Sequence, residues 1–224
     1  MAAPQPAGAP PRRTAWLALG DSYTIGEGVA ADDAWPRQLA RALRADGVAI
    51  DDPRIIATTG WTTDELAAAI DAAEAAGDAP GRDHALVSLL VGVNNQYRGR
   101  AVGEYDREFA ELLGRAVGFA GGDPGRVLVL SIPDWAATGF GAEGGGDRER
   151  TAREIDACNA VAQARCAALG VAFIDVTPIS RARGAEPAML ADDGLHPSAA
   201  MYALWTAIAL PVARRLMAPT RATA

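Results

Sequence analysis

The sequence predicts an α/β protein in which helices cover both faces of a parallel five-stranded sheet. Five short apolar runs alternate along the chain with longer segments whose apolar residues recur at helical spacing. The run at residues 85–91 is apolar almost throughout, which is typical of a central parallel strand buried on both faces. This alternation favours a three-layer α/β/α sandwich with right-handed crossovers between the strands.

The strands are predicted where apolar runs stop at glycine or at polar turn residues. The first run leads into Gly20, Asp21 and Ser22, and the second ends shortly before Gly60. Strands are therefore expected at about residues 15–20, 54–58, 85–91, 126–132 and 171–175.

The helices are predicted from capping residues and apolar spacing. Asp33 is the candidate N-cap of the first helix, and Thr62 and Glu65 have the spacing of a capping box at the start of the second. We expect Pro211 to break or kink the last helix, because proline lacks the N–H that continues the hydrogen-bond ladder. Helices are expected at about residues 34–46, 62–76, 103–119, 148–169 and from 198 onward.

Two segments are predicted to be largely irregular. One is residues 133–146, which include a glycine-rich stretch at residues 139–146, and loops of this kind are usually functional or mobile. Whether this segment acts as a lid is left open by the sequence. Residues 177–191 are expected to form a loop with one short helical turn.

Composition and charge exclude several classes of function. The chain has 224 residues and a formal net charge of −7, which argues against a nucleic-acid partner and an anionic membrane surface. No apolar run approaches the ~20 residues that span a bilayer, so no stable membrane insertion is expected. Residues 1–13 are rich in alanine and proline and lack the pattern of a secretory signal. We interpret them as a disordered tail of a cytoplasmic protein, with one domain over residues 14–218 and a short tail over 219–224.

A candidate catalytic serine, Ser22, lies where the first strand ends. Ligands of open α/β sheets bind at the carboxyl ends of the strands. A serine hydroxyl needs a base within hydrogen-bond reach, and the base needs a group that holds its tautomer. His196 is one of two histidines and stands three residues after Asp193. We therefore expect Asp193 to orient His196, and His196 to face Ser22.

Four separated blocks resemble the motifs of the GDSL, or SGNH, hydrolases, which are serine esterases and lipases. The nucleophile, glycine, asparagine and Asp-x-x-His blocks are matched, in the family's order, by Gly20-Asp21-Ser22, by Gly60, by Gly92-Val93-Asn94-Asn95 and by Asp193-Gly194-Leu195-His196-Pro197. The resemblance extends over roughly residues 15 to 210.

The resemblance implies a flavodoxin-like sheet of order 2-1-3-4-5 and a serine ester hydrolase that needs no cofactor. It implies Ser22, His196 and Asp193 as the catalytic residues. It also implies an oxyanion hole made by the backbone N–H groups of Ser22 and Gly60 and the side-chain amide of Asn94. Each of the three oxyanion residues follows a predicted strand, so they should meet at one sheet edge. The expected partner is a small-molecule ester, and the oligomeric state is not predicted.

Two positions depart from the family pattern. Tyr23 stands where a leucine is usual, and Asn95 where an aspartate is usual. Neither carries the core chemistry, but both affect the lining of the pocket. Candidate pocket residues, which either line an acyl or alcohol pocket or pack its rim, are Tyr23, Trp61, Asn95, Tyr97 and Trp135.

Other classes of protein fit the sequence less well. The Gly-x-Ser-x-Gly elbow of α/β-hydrolases is not matched, because Thr24 stands in place of the second glycine. No metal is expected, since a zinc site needs three or four ligands and the chain has no Cys or His cluster. A non-catalytic phosphate- or flavin-binding module would leave Asp193 and His196 unexplained. Among substrates, short- or medium-chain and lysophospholipid-type esters compete with acetylated carbohydrates, and the sequence does not decide between them.

Overall fold

The sheet has five parallel strands in the order β2-β1-β3-β4-β5, which confirms the predicted order. The structure is a computed structural model and describes residues 14–143 and 147–218. The strands are β1 (Trp16–Gly20), β2 (Arg54–Ala57), β3 (Leu86–Leu90), β4 (Val127–Leu130) and β5 (Ala172–Ile174).

Within these described ranges, nine α-helices connect and cover the strands. They are α1 (Ser22–Ile25), α2 (Trp35–Ala45), α3 (Thr63–Ala75), α4 (Val93–Tyr97), α5 (Val102–Phe119), α6 (Gly139–Glu143), α7 (Arg148–Leu169), α8 (Thr177–Arg183) and α9 (Ala199–Met217). Short 3-10 turns lie at Ala31–Asp33, Pro124–Arg126, Trp135–Ala137 and Pro187–Met189.

The helices form one layer on each face of the sheet. Helices α2 and α9 pack together on one face, while α5 packs between α3 and α7 on the other, as right-handed crossovers require. Every residue of β1, β3 and β4 is buried, because both faces of these strands are covered. The predicted three-layer α/β/α sandwich is confirmed.

The register of the parallel strands gathers their carboxyl ends at one edge. Gly20, the last residue of β1, pairs with Ala57 at the end of β2 and with Leu90 at the end of β3. The loops and short helices that follow these three strands therefore begin side by side. This edge is where the candidate site lies.

The end of β1 accepts glycine alone. A Cβ atom on Gly20 would lie 2.2 Å from Thr24 Oγ1 and 2.4 Å from the Leu90 carbonyl oxygen. Because Gly20 has no side chain, the chain turns directly from the strand into α1. Ser22 is the first residue of that helix.

A buried carboxylate caps α1. Asp21 is fully buried, and its Oδ1 accepts a hydrogen bond from the Tyr23 N–H at 3.0 Å. Its Oδ2 has no hydrogen-bond partner in the described part of the chain. Burial raises the pKa of Asp21 to about 7, and the hydrogen bond from Tyr23 only partly opposes that rise.

The capping prediction for Asp33 is wrong, and the last helix is not broken at Pro211. Helix α2 has Ala34 at its N-cap with no side-chain hydrogen bond, because Asp33 belongs to the preceding 3-10 turn. Helix α9 continues through Pro211 instead of breaking there. Pro211 has no N–H to donate to the Ala207 carbonyl. Both residues are exposed, so water can hydrogen-bond to that carbonyl. The capping box at Thr62 and Glu65 is present.

The two segments expected to be irregular contain more helix than predicted. Helix α6 occupies Gly139–Glu143, and residues 144–146 lie outside the described residues. Helix α8 and the 3-10 turn at Pro187–Met189 occupy much of residues 177–191. The predicted tails, residues 1–13 and 219–224, also lie outside the described residues. Among the described helices, none combines the length and apolar character needed to cross a membrane.

We expect Gly20→Ala to lower the free energy of unfolding by about 1–3 kcal/mol, because the new methyl group overlaps Thr24 and the Leu90 carbonyl. Gly114→Ala is the matched control. Gly114 lies inside α5 with no atom near its hypothetical Cβ, so alanine should stabilise by about 0.5–1 kcal/mol. Urea unfolding measures both changes. A Gly20→Ala protein as stable as Gly114→Ala would contradict the packing described.

We expect Asp21→Asn to change how stability depends on pH. The folded state holds the Asp21 proton more tightly than the unfolded state, where the pKa returns to near 3.8. The contribution of Asp21 to stability is therefore lost as the pH rises from about 4 to about 7. Asparagine retains the capping oxygen but does not ionise. The free energy of unfolding of the variant, relative to wild type, should rise across this range in urea titrations, and a flat or falling difference would contradict the buried carboxyl.

Candidate active site

A chain of hydrogen bonds links Ser22, His196 and Asp193. The Ser22 hydroxyl Oγ lies 3.0 Å from His196 Nε2, and His196 Nδ1 lies 2.6 Å from Asp193 Oδ2. Ser22 and His196 are buried, with 4% and 8% of their surfaces exposed. The structure thus brings together the three side chains that the sequence predicted to meet.

The loop that carries Asp193 and His196 is closed by its own hydrogen bonds. The Ala191 N–H donates to the His196 carbonyl at 2.8 Å, and the Gly194 N–H donates to the Ala191 carbonyl at 3.0 Å. Asp193 Oδ1 accepts from the N–H groups of Leu195 and His196, both at 2.9 Å. These bonds hold the carboxylate and the imidazole in one orientation.

The pKa of Asp193 is held below its ordinary value. Partial burial raises this pKa, but hydrogen bonds from the His196 ring and from the backbone N–H groups of His196 and Leu195 outweigh the effect of burial. Asp193 is therefore ionised at neutral pH. A charged carboxylate beside Nδ1 favours the tautomer in which Nε2 is free to accept a proton from Ser22.

Tyr23 fixes the other side of His196. The rings of Tyr23 and His196 are tilted with centroids 5.6 Å apart, and Tyr23 also contacts Trp205 of α9 at 6.1 Å. Tyr23 is buried and lines the cavity at Ser22. The aromatic residue at this position therefore packs the imidazole against the helix layer.

Two backbone N–H groups near the Ser22 hydroxyl have no hydrogen-bond acceptor among the described residues. The N–H groups of Ser22 and Gly60 donate no hydrogen bond to any residue that the structure describes. Gly60 has a positive φ of +86°, a conformation that glycine adopts without strain. Ser22 and Gly60 line the same cavity. Fixed N–H donors of this kind can stabilise a negative oxygen that develops next to a serine nucleophile.

Asn94 lines the same cavity and is itself held in place. Its side-chain Nδ2 donates one hydrogen bond to the Trp61 carbonyl at 2.9 Å. An amide nitrogen carries two protons, so the second remains available to a ligand. The predicted set of Ser22, Gly60 and Asn94 therefore lies around one cavity, together with His196.

The cavity has a volume of about 210 Å³ and a largely aromatic and aliphatic wall. Tyr97 packs edge-on against Trp135 with centroids 5.4 Å apart, and Trp135 lies 6.1 Å from Phe140. Tyr97 and Phe140 are 59% and 40% exposed, which leaves apolar surface open to a ligand. Trp135 is fixed by a hydrogen bond from its Nε1 to Gln96 Oε1 at 2.8 Å.

Two predicted pocket residues do not line this cavity. Asn95 is buried, accepts a hydrogen bond from the Thr63 N–H at 3.1 Å and donates to Thr63 Oγ1 at 2.6 Å, so it joins α4 to α3. The side chain of Trp61 packs against the hydrophobic core, and its carbonyl holds Asn94. The sequence placed both residues correctly near the strand ends but not the direction of their side chains.

Four lining residues were missed by the sequence analysis: Thr59, Val93, Phe140 and Leu195. Val93 and Leu195 lie within matched blocks and Thr59 precedes Gly60, so membership of the motifs or proximity to them is the signal that would have found these three. Phe140 lies in the glycine-rich segment, where one large apolar residue among glycines was the available signal. The Phe140 N–H donates to the Gly194 carbonyl at 3.0 Å, which connects α6 to the loop of His196.

Side chains that could bind a metal ion are dispersed over residues 14–143 and 147–218. Within these ranges, no group of three or more His, Cys, Asp or Glu side chains is arranged to hold such an ion.

Solved structures with the same fold include several hydrolases. TesA is 23% identical with a TM-score of 0.67, over 91% of this chain and 99% of that chain. A lipase/acylhydrolase from Enterococcus faecalis is 19% identical with a TM-score of 0.66, over 93% and 100%. A variant of Axe2, an acetyl xylan esterase from Geobacillus stearothermophilus, is 18% identical with a TM-score of 0.66, over 94% and 98%. At these identities the similarity shows the fold alone.

Sequence comparison identifies the family. No curated protein sequence was found to match the chain significantly. The model of the GDSL-like lipase/acylhydrolase family matches residues 18–204, a stretch that contains all four predicted blocks. This chain therefore belongs to the GDSL-like lipase/acylhydrolase family.

Proposed function

We propose that the protein is a serine carboxylic ester hydrolase that forms an acyl-enzyme on Ser22. The observation that carries this proposal is the hydrogen-bond chain from Ser22 through His196 to Asp193 at the wall of a cavity. A non-catalytic binding module does not require a base at 3.0 Å from a buried hydroxyl, so it leaves this contact unexplained.

The reaction has two half-reactions. Ser22 Oγ attacks the ester carbonyl carbon while His196 Nε2 accepts the hydroxyl proton, and Asp193 stabilises the resulting imidazolium. The tetrahedral intermediate collapses as His196 returns the proton to the leaving alcohol and the carbon–oxygen bond breaks. Water then attacks the acyl-enzyme with His196 again as base, and the acid is released with Ser22 restored.

The oxyanion of each tetrahedral intermediate would be stabilised by three donors. They are the N–H groups of Ser22 and Gly60 and the second amide proton of Asn94. All three are free to take this role, and the bond from Asn94 to the Trp61 carbonyl fixes the amide before substrate binds. Loss of one such donor typically lowers the rate about 10²–10³-fold.

The cavity wall favours esters with short- to medium-length apolar acyl groups or lysophospholipid-type esters. Its side chains beyond the catalytic residues are mainly apolar, and Tyr97, Trp135 and Phe140 form a continuous aromatic surface. Burial of acyl methylenes against this surface would add binding energy that an acetyl group does not supply. Deacetylation of carbohydrates is the competing activity, since Axe2, which shares the fold, is an acetyl xylan esterase.

We expect wild type to hydrolyse p-nitrophenyl esters, with kcat/KM rising from acetate to medium-length acyl groups. Ser22→Ala should lower the rate by about 10⁶-fold where chemistry is limiting. Steady-state kinetics on the ester series measure both. Wild-type rates in the Ser22→Ala protein would contradict the proposed nucleophile, and activity confined to acetate esters would favour deacetylation.

A matched pair of variants tests the aromatic wall in the same assay. Phe140→Ala removes a wall residue, whereas Leu169→Ala removes an equally exposed apolar side chain at the end of α7, away from the cavity. Phe140→Ala should reduce the preference for longer acyl groups and Leu169→Ala should not. Equal chain-length profiles in all three proteins would place the acyl group elsewhere.

A further inference from the structure

Gly60 lies in a tight turn beside the cavity. Residues 58–61 form a β-turn closed by a hydrogen bond from the Trp61 N–H to the Thr58 carbonyl at 3.3 Å. With φ of +86° at Gly60, the turn is of type II. Type I and type II turns differ by rotation of the central peptide, here between Thr59 and Gly60, so the turn type decides where the Gly60 N–H points.

Arg98 holds this turn from outside. Its Nη2 donates a hydrogen bond to the Gly60 carbonyl at 2.6 Å, and its Nη1 pairs with Glu65 Oε1 at 3.0 Å. Glu65 is itself fixed, because its Oε2 accepts from the Thr62 N–H at 2.9 Å in the capping box of α3. The guanidinium therefore connects the Gly60 carbonyl to the rigid first turn of α3.

The same contacts join the two proposed oxyanion donors. Arg98 is the C-cap of α4, and its N–H donates to the Asn94 carbonyl at 3.0 Å. Asn94 in turn donates to the Trp61 carbonyl. The two peptides that follow Gly60 are thus tied to α4 at two carbonyl oxygens. The Gly60 N–H has no acceptor among the described residues, and Gly60 lines the cavity.

We propose that Arg98 is a positioning residue of the oxyanion hole. It fixes the Gly60–Trp61 peptide in register with Asn94, so that the Gly60 N–H and the Asn94 amide face one oxyanion. This inference rests on the proposed function, since it assigns a purpose to Arg98 only if an oxyanion forms beside Ser22. Arg98 does not touch the reacting atoms in this role, and its effect is exerted through Gly60.

Arg100 provides a matched control. It lies two residues further on and pairs with Asp64 of α3 at 2.5 and 3.1 Å. No hydrogen bond from Arg100 to residues 58–61 is found in the described part of the chain. Its side chain also lies near Glu104 and Glu108 of α5. Removal of Arg100 therefore weakens contacts with α3 and α5 without releasing the Gly60 carbonyl.

The test compares Arg98→Ala, Arg98→Lys and Arg100→Ala on the Ser22-dependent hydrolysis of a p-nitrophenyl ester. We expect Arg98→Ala to lower kcat about 10- to 100-fold with little change in KM, because a misplaced donor weakens the transition state and not substrate binding. Arg98→Lys should recover part of the loss, since an ammonium reaches one partner but not both. Arg100→Ala should keep the wild-type kcat.

Chemical rescue separates positioning from stability. Side-chain exposure of Arg98 is 46%, so methylguanidinium can enter the space left in Arg98→Ala, and it should raise kcat of that variant alone. Wild-type kcat in Arg98→Ala would overturn the proposal. So would a loss confined to KM, which would make Arg98 a substrate contact, or an equal kcat loss in Arg100→Ala. Failure of the proposed function looks different, because the wild-type rate would then survive Ser22→Ala.

Discussion

The parallel pairing of β1 with β2 and β3 is the constraint on which the rest of the structure depends. It ends three strands at one level, so that residues distant in sequence begin their turns side by side. The turn after β1 supplies Ser22, the turn after β2 supplies Gly60, and α4 after β3 supplies Asn94. Because both faces of β1 and β3 are buried under helices, this edge is also the place where short polar segments can reach solvent.

The edge is tightly constrained where β1 ends. The backbone at Gly20 leaves no room for a side chain, and Asp21 is buried beneath the first turn of α1. The raised pKa of Asp21 means that this carboxyl carries less negative charge near neutral pH than an ordinary aspartate. A reduced charge at this point would favour the proposed oxyanion, since a full negative charge beside Ser22 would oppose it. The ionised carboxylate of the site is Asp193 instead, which lies behind His196.

The positions of the strands could be predicted from long apolar runs, the place of Ser22 from the end of the first run, and the pairing of Asp193 with His196 from their short spacing. The strand order was implied by the family resemblance. Side-chain direction in the short helices could not be predicted. Successive residues of a helix point about 100° apart, so Asn94 and Tyr97 share the cavity face of α4 whereas Asn95 faces α3. Helices α1, α4 and α6 are too short to be favoured by propensity alone and form through packing and capping contacts. The place of Phe140 in the cavity wall depends on such a contact, the hydrogen bond between α6 and the loop of His196.

A crystal structure of the protein after reaction with a p-nitrophenyl alkylphosphonate, whose tetrahedral adduct mimics the intermediate, would test the nucleophile and its oxyanion donors together. We expect one phosphonyl group on Ser22 Oγ. Its phosphoryl oxygen should lie within hydrogen-bond distance of the Ser22 and Gly60 nitrogens and of Asn94 Nδ2, with the alkyl group against Tyr97, Trp135 and Phe140. An adduct on another residue, or a phosphoryl oxygen directed away from these three donors, would contradict the proposed mechanism.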